Sequence, residues 1–450
     1  MTATAARSPF GVRDFRLLWL GEAVSALGDQ FALIALPWLA LVLTGSALAL
    51  GSVLALMAVP RALLMLIGGV WVDRLSPRRV MLGSNAVRLV AVSLLGLAVL
   101  ADVEQLWMLY LFALVFGVAD AFFYPAQTSI VPELVEPDQL QGANGITQGT
   151  TQASVLLGPA IAGVVIAALG SAGAQASPAG VAVALLLDGA SFLVSLATLW
   201  LIHARAHDHA QGSSMVEAIR EGIRFLWGSP GLRAVVLISL TGNLLIVGPF
   251  EVGMPVIAYA RLPEGAAAFG LIMSAFGGGS LIGLAAGAML PAPRPSWFAA
   301  AVMGTLSIAG LGVAALAPVH STILAVAIIA VSGMALGYGN LLGLTWAQAR
   351  IPPHLMGRVM SLLLLGSVGL VPVSELLAGA AVQVSLEAML LVAGVGMAIF
   401  ALGSLLWPTV RNLGFQPPYE APADEAAAAA SAGGAPGQRA VPGGATQPSA

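Results

Sequence analysis

Ionisable side chains inside long apolar stretches are the residues of this sequence that could do chemistry. Glu22 and Asp29 lie in the first such stretch, and Arg61, Arg88 and Asp120 lie in the second, third and fourth. An ionisable group in hydrocarbon costs about 2.5 kcal/mol or more unless it is paired or reached by water, so each is a candidate for proton or ion binding. We predict that these five residues are the intramembrane charges of the protein, with Asp29 as the main proton site.

Asp29 and Arg61 are predicted to lie in one layer near the middle of the membrane. At about 1.5 Å per helical residue, Asp29 is roughly 18 Å from Leu17 and Arg61 is roughly 15 Å from Trp71, and both starting points are placed at the same membrane boundary. A neighbouring arginine favours the ionised carboxylate and burial disfavours it, so a change in their separation would bind and release a proton. The alternative is that Asp29 and Arg61 form a static ion pair. Glu22, Arg88 and Asp120 have the same two alternatives, a moving charge layer or a fixed one.

Amide side chains mark one face of the fifth apolar stretch. They recur every fourth residue, at Asn144, Gln148 and Gln152, and therefore lie on one side of a helix. There they would line a cavity or hold neighbouring helices together. Three further acidic residues are expected nearer the outer face, as an outer gate or as groups that reach the interface: Asp188, Glu375 and Glu251, the last also a candidate for lining the cavity.

The densest charge cluster lies between the second and third apolar stretches. It contains Gly69, Asp73, Arg74, Arg78 and Arg79. It predicts a short cytoplasmic loop, because positive charge beside a membrane span stays on that side. Gly69 would let two helices approach closely, and Asp73 could accept hydrogen bonds from arginines or from the N-terminus of a neighbouring helix.

The composition is that of a polytopic membrane protein. Of the 450 residues, 58% are hydrophobic and 9% are charged, where a soluble domain has about 25% charged residues. The mean hydropathy is +0.93. The chain has no cysteine, and all 18 of its basic residues are arginines. A phosphate-binding loop that needs lysine, thiol chemistry and cysteine metal sites are therefore excluded. We expect no metal, no cofactor and, without a basic stripe, no nucleic-acid partner.

Twelve apolar stretches predict an all-α membrane protein. Six-helix bundles are predicted at 17–202 and 234–410, with a cytoplasmic N-terminal segment at 1–16. A cytoplasmic linker at 203–233 joins the bundles. The fourth span is expected from about Leu106 to Pro125, with a cytoplasmic loop after it. The tail at 411–450 is too poor in large apolar residues to fold, so a disordered cytoplasmic tail is predicted there.

The linker and the loop charges indicate the orientation. An amphipathic helix is predicted in the linker, because Met215, Ile219, Ile223 and Leu226 recur at helical spacing. Arg261 is essentially the only arginine placed in an outer loop, so both termini are predicted to be cytoplasmic. The five histidines all fall in predicted loops, and this argues against an intramembrane hydrolase.

The pattern Gly69-x-x-x-Asp73-Arg74-x-x-x-Arg78-Arg79 resembles the loop signature between helices 2 and 3 of the major facilitator superfamily of secondary transporters. The resemblance implies twelve transmembrane helices in two pseudo-symmetric six-helix bundles that alternate access to the two sides. It also implies that the loop acts as a gate, a conformational latch.

A second set of motifs resembles the drug and siderophore exporter branch of that family, which includes macrolide efflux pumps and the enterobactin exporter. These motifs are Ser25-x-x-Gly28-Asp29, Pro125-Ala126 with Val131-Pro132, Asn144, and Gly158-Pro159. Gly158-Pro159-x-x-x-Gly163 in helix 5 is similar to the signature of antiporters, although Ser154 stands where that signature has another glycine.

The resemblance and the residues together predict a proton-coupled exporter of small amphipathic compounds, and not an enzyme. The expected partners are the substrate, protons and the lipid bilayer, with the protein a monomer in the inner (plasma) membrane. A dedicated siderophore or metabolite exporter is the alternative within transport. A non-transporting membrane receptor is the alternative outside it, which the acidic residues at membrane depth disfavour.

Overall fold

The computed structural model describes residues 8–170, 178–203, 215–352 and 355–419, without the side chains of 65–74, 215–219, 361, 364, 365 and 367. The segment 204–214 of the predicted linker, which holds His207 and His209, lies outside the described residues, as do His354 and the tail from 420. The described chain forms sixteen α-helices: α1 (Arg13–Thr44), α2 (Ala47–Leu75), α3 (Pro77–Leu100), α4 (Leu106–Leu134), α5 (Leu140–Leu169), α6 (Ala179–Leu201), α7 (Met215–Gly228), α8 (Pro230–Gly242), α9 (Gly248–Arg261), α10 (Ala266–Met289), α11 (Pro295–Ala315), α12 (Thr322–Gln348), α13 (Met356–Val368), α14 (Val371–Val384), α15 (Leu386–Ser404) and α16 (Pro408–Arg411).

These helices make two halves of six spans each. In the N-terminal half (α1–α6), α1 packs on α5 and α6, α2 packs on α4, and α3 lies between α4 and α6. The C-terminal half (α8–α15) repeats this order, since α10 packs on α12 and α11 packs on α12 and α15. Eleven described segments are long and apolar enough to cross a membrane, and α13 with α14 provides the twelfth crossing. The predicted all-α fold of twelve spans in two bundles is confirmed.

The seventh span is interrupted between α8 and α9 by a π-helical segment, Asn243–Val247. The Ser374 hydroxyl on α14 donates to the Leu244 carbonyl at 2.7 Å and accepts from the Gly248 amide at 2.8 Å. In a regular α-helix these two backbone groups would bond to each other, so the inserted hydroxyl widens the turn. The eleventh span breaks in the neighbouring region, where α13 ends and α14 begins at residues 369–370.

Helix α4 is longer than the sequence predicts. The loop expected from Pro125 onward is helical as far as Leu134, and Pro125 and Pro132 lie inside the helix. The expectation was wrong because a proline removes a single backbone hydrogen bond, whereas Ala126 and Ile130 are fully buried by this extension. Packing against the rest of the half outweighs the local preference of proline.

The predicted loop between the second and third spans is also mostly helical. Helix α2 continues to Leu75, and Ser76, with a φ of 79°, makes the turn before Pro77 begins α3. Gly69 and Asp73 therefore lie in the last turns of α2. The Asp73 and Arg74 side chains lie outside the described part of the chain.

Helix α7 lies between the halves and packs on α13 of the C-terminal half. Leu226 is buried, Ile223 is exposed, and Glu221 forms an ion pair with Arg358 at the start of α13. The residues after α15 fold back onto the same half, where the Trp346 indole donates to the Leu413 carbonyl at 2.8 Å. We call the side on which α1 begins and α15 ends the terminal face, and the other side the opposite face.

Candidate functional site

An ion pair between Arg88 and Asp120 lies at the centre of the N-terminal half. Arg88 on α3 is 1% exposed and donates a hydrogen bond to Asp120 on α4. Its guanidinium carbon lies 4.0 Å from the ring centroid of Phe123, 5.3 Å from that of Phe116 and 5.8 Å from that of Phe192. Cation–π attraction is strongest when the cation is desolvated, so the three rings and the carboxylate together stabilise the buried charge.

A chain of buried polar side chains lies beside this ion pair. Glu22 on α1 accepts hydrogen bonds from the Gln127 amide on α4 and from the Ser195 hydroxyl on α6, the latter at 3.4 Å. The Ser195 hydroxyl in turn accepts from the Asn85 amide on α3 at 2.9 Å. Four helices of the N-terminal half therefore meet on polar atoms that bond to one another.

Asp29 and Asp188 complete the cluster from α1 and α6. These helices approach closely at Gly28, where a Cβ atom would lie 2.1 Å from the Ser191 hydroxyl and 2.9 Å from an Asp188 carboxyl oxygen. One carboxyl oxygen of each aspartate is buried without a hydrogen-bond partner in the described part of the chain. The position expected for Asp188, nearer the outer face, is corrected, because counting along the chain cannot reveal which turn of α1 the α6 helix contacts.

We define the charge cluster by the five residues Glu22, Asp29, Arg88, Asp120 and Asp188. Asp29 interacts electrostatically with Arg88 and Asp120, and Asp188 interacts with Asp29. The structure thus brings together four of the five predicted intramembrane charges and adds Asp188 to them. The cluster contains four carboxyl groups and one guanidinium.

Arg61 lies apart from this cluster. Its electrostatic neighbours include Tyr124 on α4 and Glu375 on α14, and no ion pair described in the structure joins it to Asp29. In this conformation the arginine beside Asp29 is therefore Arg88. Depth alone suggested Arg61, but the rotation of α2 about its axis, which the sequence does not give, directs the side chain elsewhere.

Two carboxyl groups face each other in the C-terminal half. Glu375 on α14 is 2% exposed, and it interacts with Glu251 on α9. A Cβ atom at Gly51 on α2 would lie 2.4 Å from the Glu375 carbonyl oxygen, so α2 and α14 touch at this point. The two glutamates predicted near the outer face therefore lie where the halves meet.

The helix 5 motif also lies at the contact between the halves. A Cβ atom at Gly163 would lie 2.5 Å from the Ala266 carbonyl on α10, and one at Gly270 would lie 2.2 Å from the Pro159 carbonyl. The amide of Ala160 donates to the Ser274 hydroxyl on α10 at 2.9 Å. Glycine on both helices lets the backbones touch, as small residues do in membrane helix pairs. Gly158 faces α1 instead, where its Cβ would meet the Gln30 side chain at 2.4 Å.

The three predicted amides lie on the part of α5 nearer the terminal face. Asn144 and Gln148 are exposed and Gln152 is half-buried. The glycines between them, Gly145 and Gly149, have no described heavy atom within 4 Å of a Cβ position. Exposed amides at membrane depth are stable where water reaches them, and not where lipid surrounds them. This face of α5 is therefore suited to line an aqueous path.

The arginines after α2 differ in their contacts. Arg78 donates to the carbonyls of Leu199 and Trp200 through Nε and Nη2, both at 2.7 Å. These are the last carbonyls of α6, so Arg78 caps that helix. Arg79 is exposed. Among the described residues, no group of three or more histidine or acidic side chains could hold a metal ion.

Sequence reasoning missed Asn85, Gln127, Ser195 and the aromatic rings around Arg88. A signal was present in the spacing, because Asn85 and Arg88 are three residues apart on α3. Phe116, Asp120 and Phe123 follow at intervals of four and three residues on α4, so they share one face of that helix.

The Major Facilitator Superfamily profile matches residues 18–373 of the chain. The chain is 27% identical over 418 residues to the "Multidrug efflux pump Tap" of Mycobacterium tuberculosis, an alignment that covers 89% of the chain and 95% of that pump. It is 22% identical over 355 residues to "Macrolide efflux protein A" of Streptococcus pyogenes, with 77% and 84% covered. It is 25% identical over 354 residues to the "Enterobactin exporter EntS" of Escherichia coli, with 77% and 80% covered.

The fold matches that of solved transporters. A bacterial homologue of the iron transporter ferroportin, in an inward-facing state, superposes with a TM-score of 0.67 at 19% identity, covering 87% of this chain and 98% of that one. At this identity the match establishes the arrangement of the helices, and nothing about the substrate.

Proposed function

Because the chain belongs to the Major Facilitator Superfamily, a family of transporters and not of enzymes, we propose that it exports small amphipathic compounds in exchange for protons. That it is a multi-pass membrane transporter follows from the family and the spans. The direction of transport, the coupling ion and the substrate are the proposal. A single chain contains both halves of the path, so we propose a monomer in the inner membrane.

The observation that carries proton coupling is the composition of the charge cluster. Four carboxyl groups share one guanidinium in a site that is largely closed to water. An unpaired buried charge is costly, so the carboxyl groups in excess of Arg88 are expected to bind protons. A movement that opens the cluster to water would release them.

Within the cluster, Asp29 is the proposed coupling residue. Glu22 has two hydrogen-bond donors and Asp120 has the arginine, whereas one Asp29 oxygen has no partner among the described residues. Asp29 is also only half-buried, while Glu22, Asp120 and Asp188 are buried. A carboxyl group that is free of strong partners and near water is the one whose proton can exchange within a transport cycle.

The proposed orientation places the terminal face in the cytoplasm. Arg13, Arg16 and Arg79 lie on that side, and positive charge beside spans is retained inside. The halves touch towards the opposite face, along α5 with α10 and α2 with α14, while the amides of α5 are exposed towards the terminal face. This arrangement corresponds to an inward-facing state.

The segment after α2 is the proposed inner gate. Gly69, Asp73 and Arg74 lie at the terminal face, where α2 ends. In the alternate state an ion pair of Asp73 would latch the halves together on this side. Asp73→Asn is expected to lower transport while a cysteine placed in the cytoplasmic half becomes more reactive. Equal cysteine reactivity in both proteins would contradict the latch.

The names of the relatives support the proposed substrate class. Relatives that match most of the chain are named as a multidrug pump and a macrolide efflux protein. The second candidate, a dedicated siderophore or metabolite exporter, is favoured by the similarity to an enterobactin exporter. Both candidates are secondary exporters, and they differ in how many substrates each accepts.

Everted membrane vesicles with an imposed pH gradient test the proposal. A panel of lipophilic compounds should include some that accumulate in vesicles containing the protein, and the accumulation should collapse when an ionophore removes the gradient. Vesicles prepared without the protein provide the control for non-specific uptake. Accumulation that is unaffected by the ionophore would contradict proton coupling, and a single accepted compound would favour the dedicated exporter.

A further inference from the structure

A cavity of about 590 Å³ lies inside the C-terminal half. Its walls come from α8 and the π-helical segment, α11, α12 and α13, and Leu413 closes it towards the terminal face. Every described lining residue belongs to the C-terminal half. Its volume is in the range of small-molecule sites, roughly 300–1,000 Å³.

The cavity occupies the position that the charge cluster occupies in the N-terminal half. Gly117 on α4 has Gly333 on α12 as its equivalent. A Cβ atom at Gly117 would lie 2.2 Å from the Met57 carbonyl on α2, and one at Gly333 would lie 2.4 Å from the Phe276 carbonyl on α10. Met57 and Phe276 are in turn equivalent, because each follows by six residues the glycine at which its helix touches the other half. Leu336, which lines the cavity, therefore stands where Asp120 stands.

Two amide side chains also line the cavity. Asn243 lies in the π-helical segment after α8, and Asn340 lies one turn after Leu336 on α12.

The open space has a similar explanation. Phe123, three residues after Asp120, fills the N-terminal half against Arg88. Its counterpart three residues after Leu336 is Gly339, which lines the cavity. Gly343, one turn further along α12, also lines it, and no described heavy atom lies within 4 Å of a Cβ position there. A ring in one half is therefore replaced by a glycine beside empty volume in the other.

The described lining is polar at a few points and carries no charge. Among the lining residues that the structure describes there is no aspartate, glutamate, arginine or histidine. The amide nitrogen of Asn243 donates to the Ser239 carbonyl at 2.8 Å, which leaves its side-chain oxygen as an acceptor. Asn340 is exposed to the cavity, and no hydrogen bond of its side chain is described. A charged ligand would lack a counter-ion here, whereas a neutral one could bond to both amides.

We propose that this cavity binds an uncharged amphipathic molecule, with Asn243 and Asn340 as its hydrogen-bonding groups and Trp346 and neighbouring apolar side chains as its walls. This proposal depends on the proposed function in one respect only, namely that the bound molecule is taken to be a transported substrate. Binding itself requires neither a proton gradient nor transport.

Photolabelling of the purified full chain in lipid nanodiscs tests the site. The probe is benzophenone, a neutral molecule with one carbonyl acceptor that reacts readily with methionine side chains. Met303 and Met360 line the cavity and should be labelled, as located by peptide mass spectrometry. The trimethylammonium derivative of benzophenone should label them at least about tenfold less, the effect of 1.4 kcal/mol. Equal labelling by the cation would overturn the assignment of an uncharged ligand.

Two variants with a matched control locate the binding. Gly343→Phe places an aromatic ring in the open space of the cavity, and it should lower labelling at both methionines by about tenfold. Gly304→Phe is the control, because Gly304 also has open space around it but does not line the cavity. Labelling that survives Gly343→Phe, or that falls equally in the control, would overturn the site.

Asn340→Leu replaces one amide of the lining with an apolar side chain of similar size. This second variant decides the test even if Gly343→Phe does not fold. Labelling should fall several-fold, and unchanged labelling would reduce the cavity to an apolar void. A protein that binds the probe in this way but fails to accumulate compounds in vesicles would contradict the proposed function and leave the binding site standing.

Discussion

The two halves of this transporter have the same helix order but fill equivalent positions with opposite chemistry. The N-terminal half places Asp29, Asp120 and the Phe123 ring around Arg88, and it is densely packed. The C-terminal half has Leu336 where the N-terminal half has Asp120, and Gly339 where it has Phe123, beside a cavity that Asn243 and Asn340 also line. The exchange of a carboxyl group for an apolar side chain, and of a ring for a glycine, separates a site proposed for protons from a site proposed for a neutral molecule.

The halves also differ in how their first spans are held. Helix α1 runs unbroken and meets α6 closely at Gly21 and Gly28. The seventh span is instead widened at Asn243–Val247 by the Ser374 hydroxyl. The half with the ion pair is thus rigidly packed against its first span, while the half with the cavity has an interrupted first span beside it. Four variants test how far this contrast determines function.

The largest effect is expected when the charged half loses its ion pair. Asp120→Asn removes the hydrogen-bonded carboxylate partner of the buried Arg88 guanidinium, which should cost about 3 kcal/mol or more of stability and abolish transport. Thermal unfolding in detergent measures the first effect. The double variant Arg88→Met/Asp120→Asn should regain most of the stability without regaining proton-driven transport. If the double variant is as unstable as the single variant, the instability of Asp120→Asn does not come from the broken ion pair.

The next effect concerns Asp29, the proposed coupling residue. Asp29→Asn should abolish accumulation against a gradient, by at least about tenfold, while substrate binding and downhill equilibration persist. Only the titrating group is lost, and the fold around Gly28 is unchanged. Asp29→Glu, the matched control, should retain part of the accumulation. A variant that still builds the wild-type gradient would move the coupling site to Asp120 or Glu22.

A smaller effect is expected at the contact between the halves, where α5 packs on α10. A side chain at Gly270 would meet the Pro159 carbonyl at 2.2 Å, so Gly270→Leu should push α5 and α10 apart. A shift of about 1.4 kcal/mol against this state would change its population about tenfold. The native chain has no cysteine, so a single cysteine at Ser274 reports the opening to an impermeant maleimide. Gly403→Leu on α15, where the space is open, should leave the labelling rate unchanged.

The smallest effect should come from Ser374→Ala. Without the hydroxyl, the Gly248 amide can bond directly to the Leu244 carbonyl, and the loss of two side-chain hydrogen bonds should cost about 1 kcal/mol. Hydrogen exchange at Gly248 should become slower as the regular helix forms, and transport should fall moderately. Exchange that does not change would indicate that the π-helical segment has another cause.

Much of the architecture was predictable because it depends on local properties of the chain. Long apolar runs separated by polar turns predict twelve spans, and the motif ending in Arg78-Arg79 indicates the family. Glu22, Arg88 and Asp120 could be singled out because a charge at membrane depth is rare whatever surrounds it. The end of α4 was mispredicted for a non-local reason, since burial of Ala126 and Ile130 continues the helix beyond Pro125.

The sequence by itself determined which residues are in the membrane, since transfer of each apolar stretch from water depends on composition alone. Which of those residues meet was decided by the tertiary structure. The rotation and close approach of helices bring Asp188 to Gly28, place Arg88 rather than Arg61 beside Asp29, and insert Ser374 into the seventh span. The tertiary structure also decided where the cavity lies, because a glycine leaves empty volume only where neighbouring helices do not close over it.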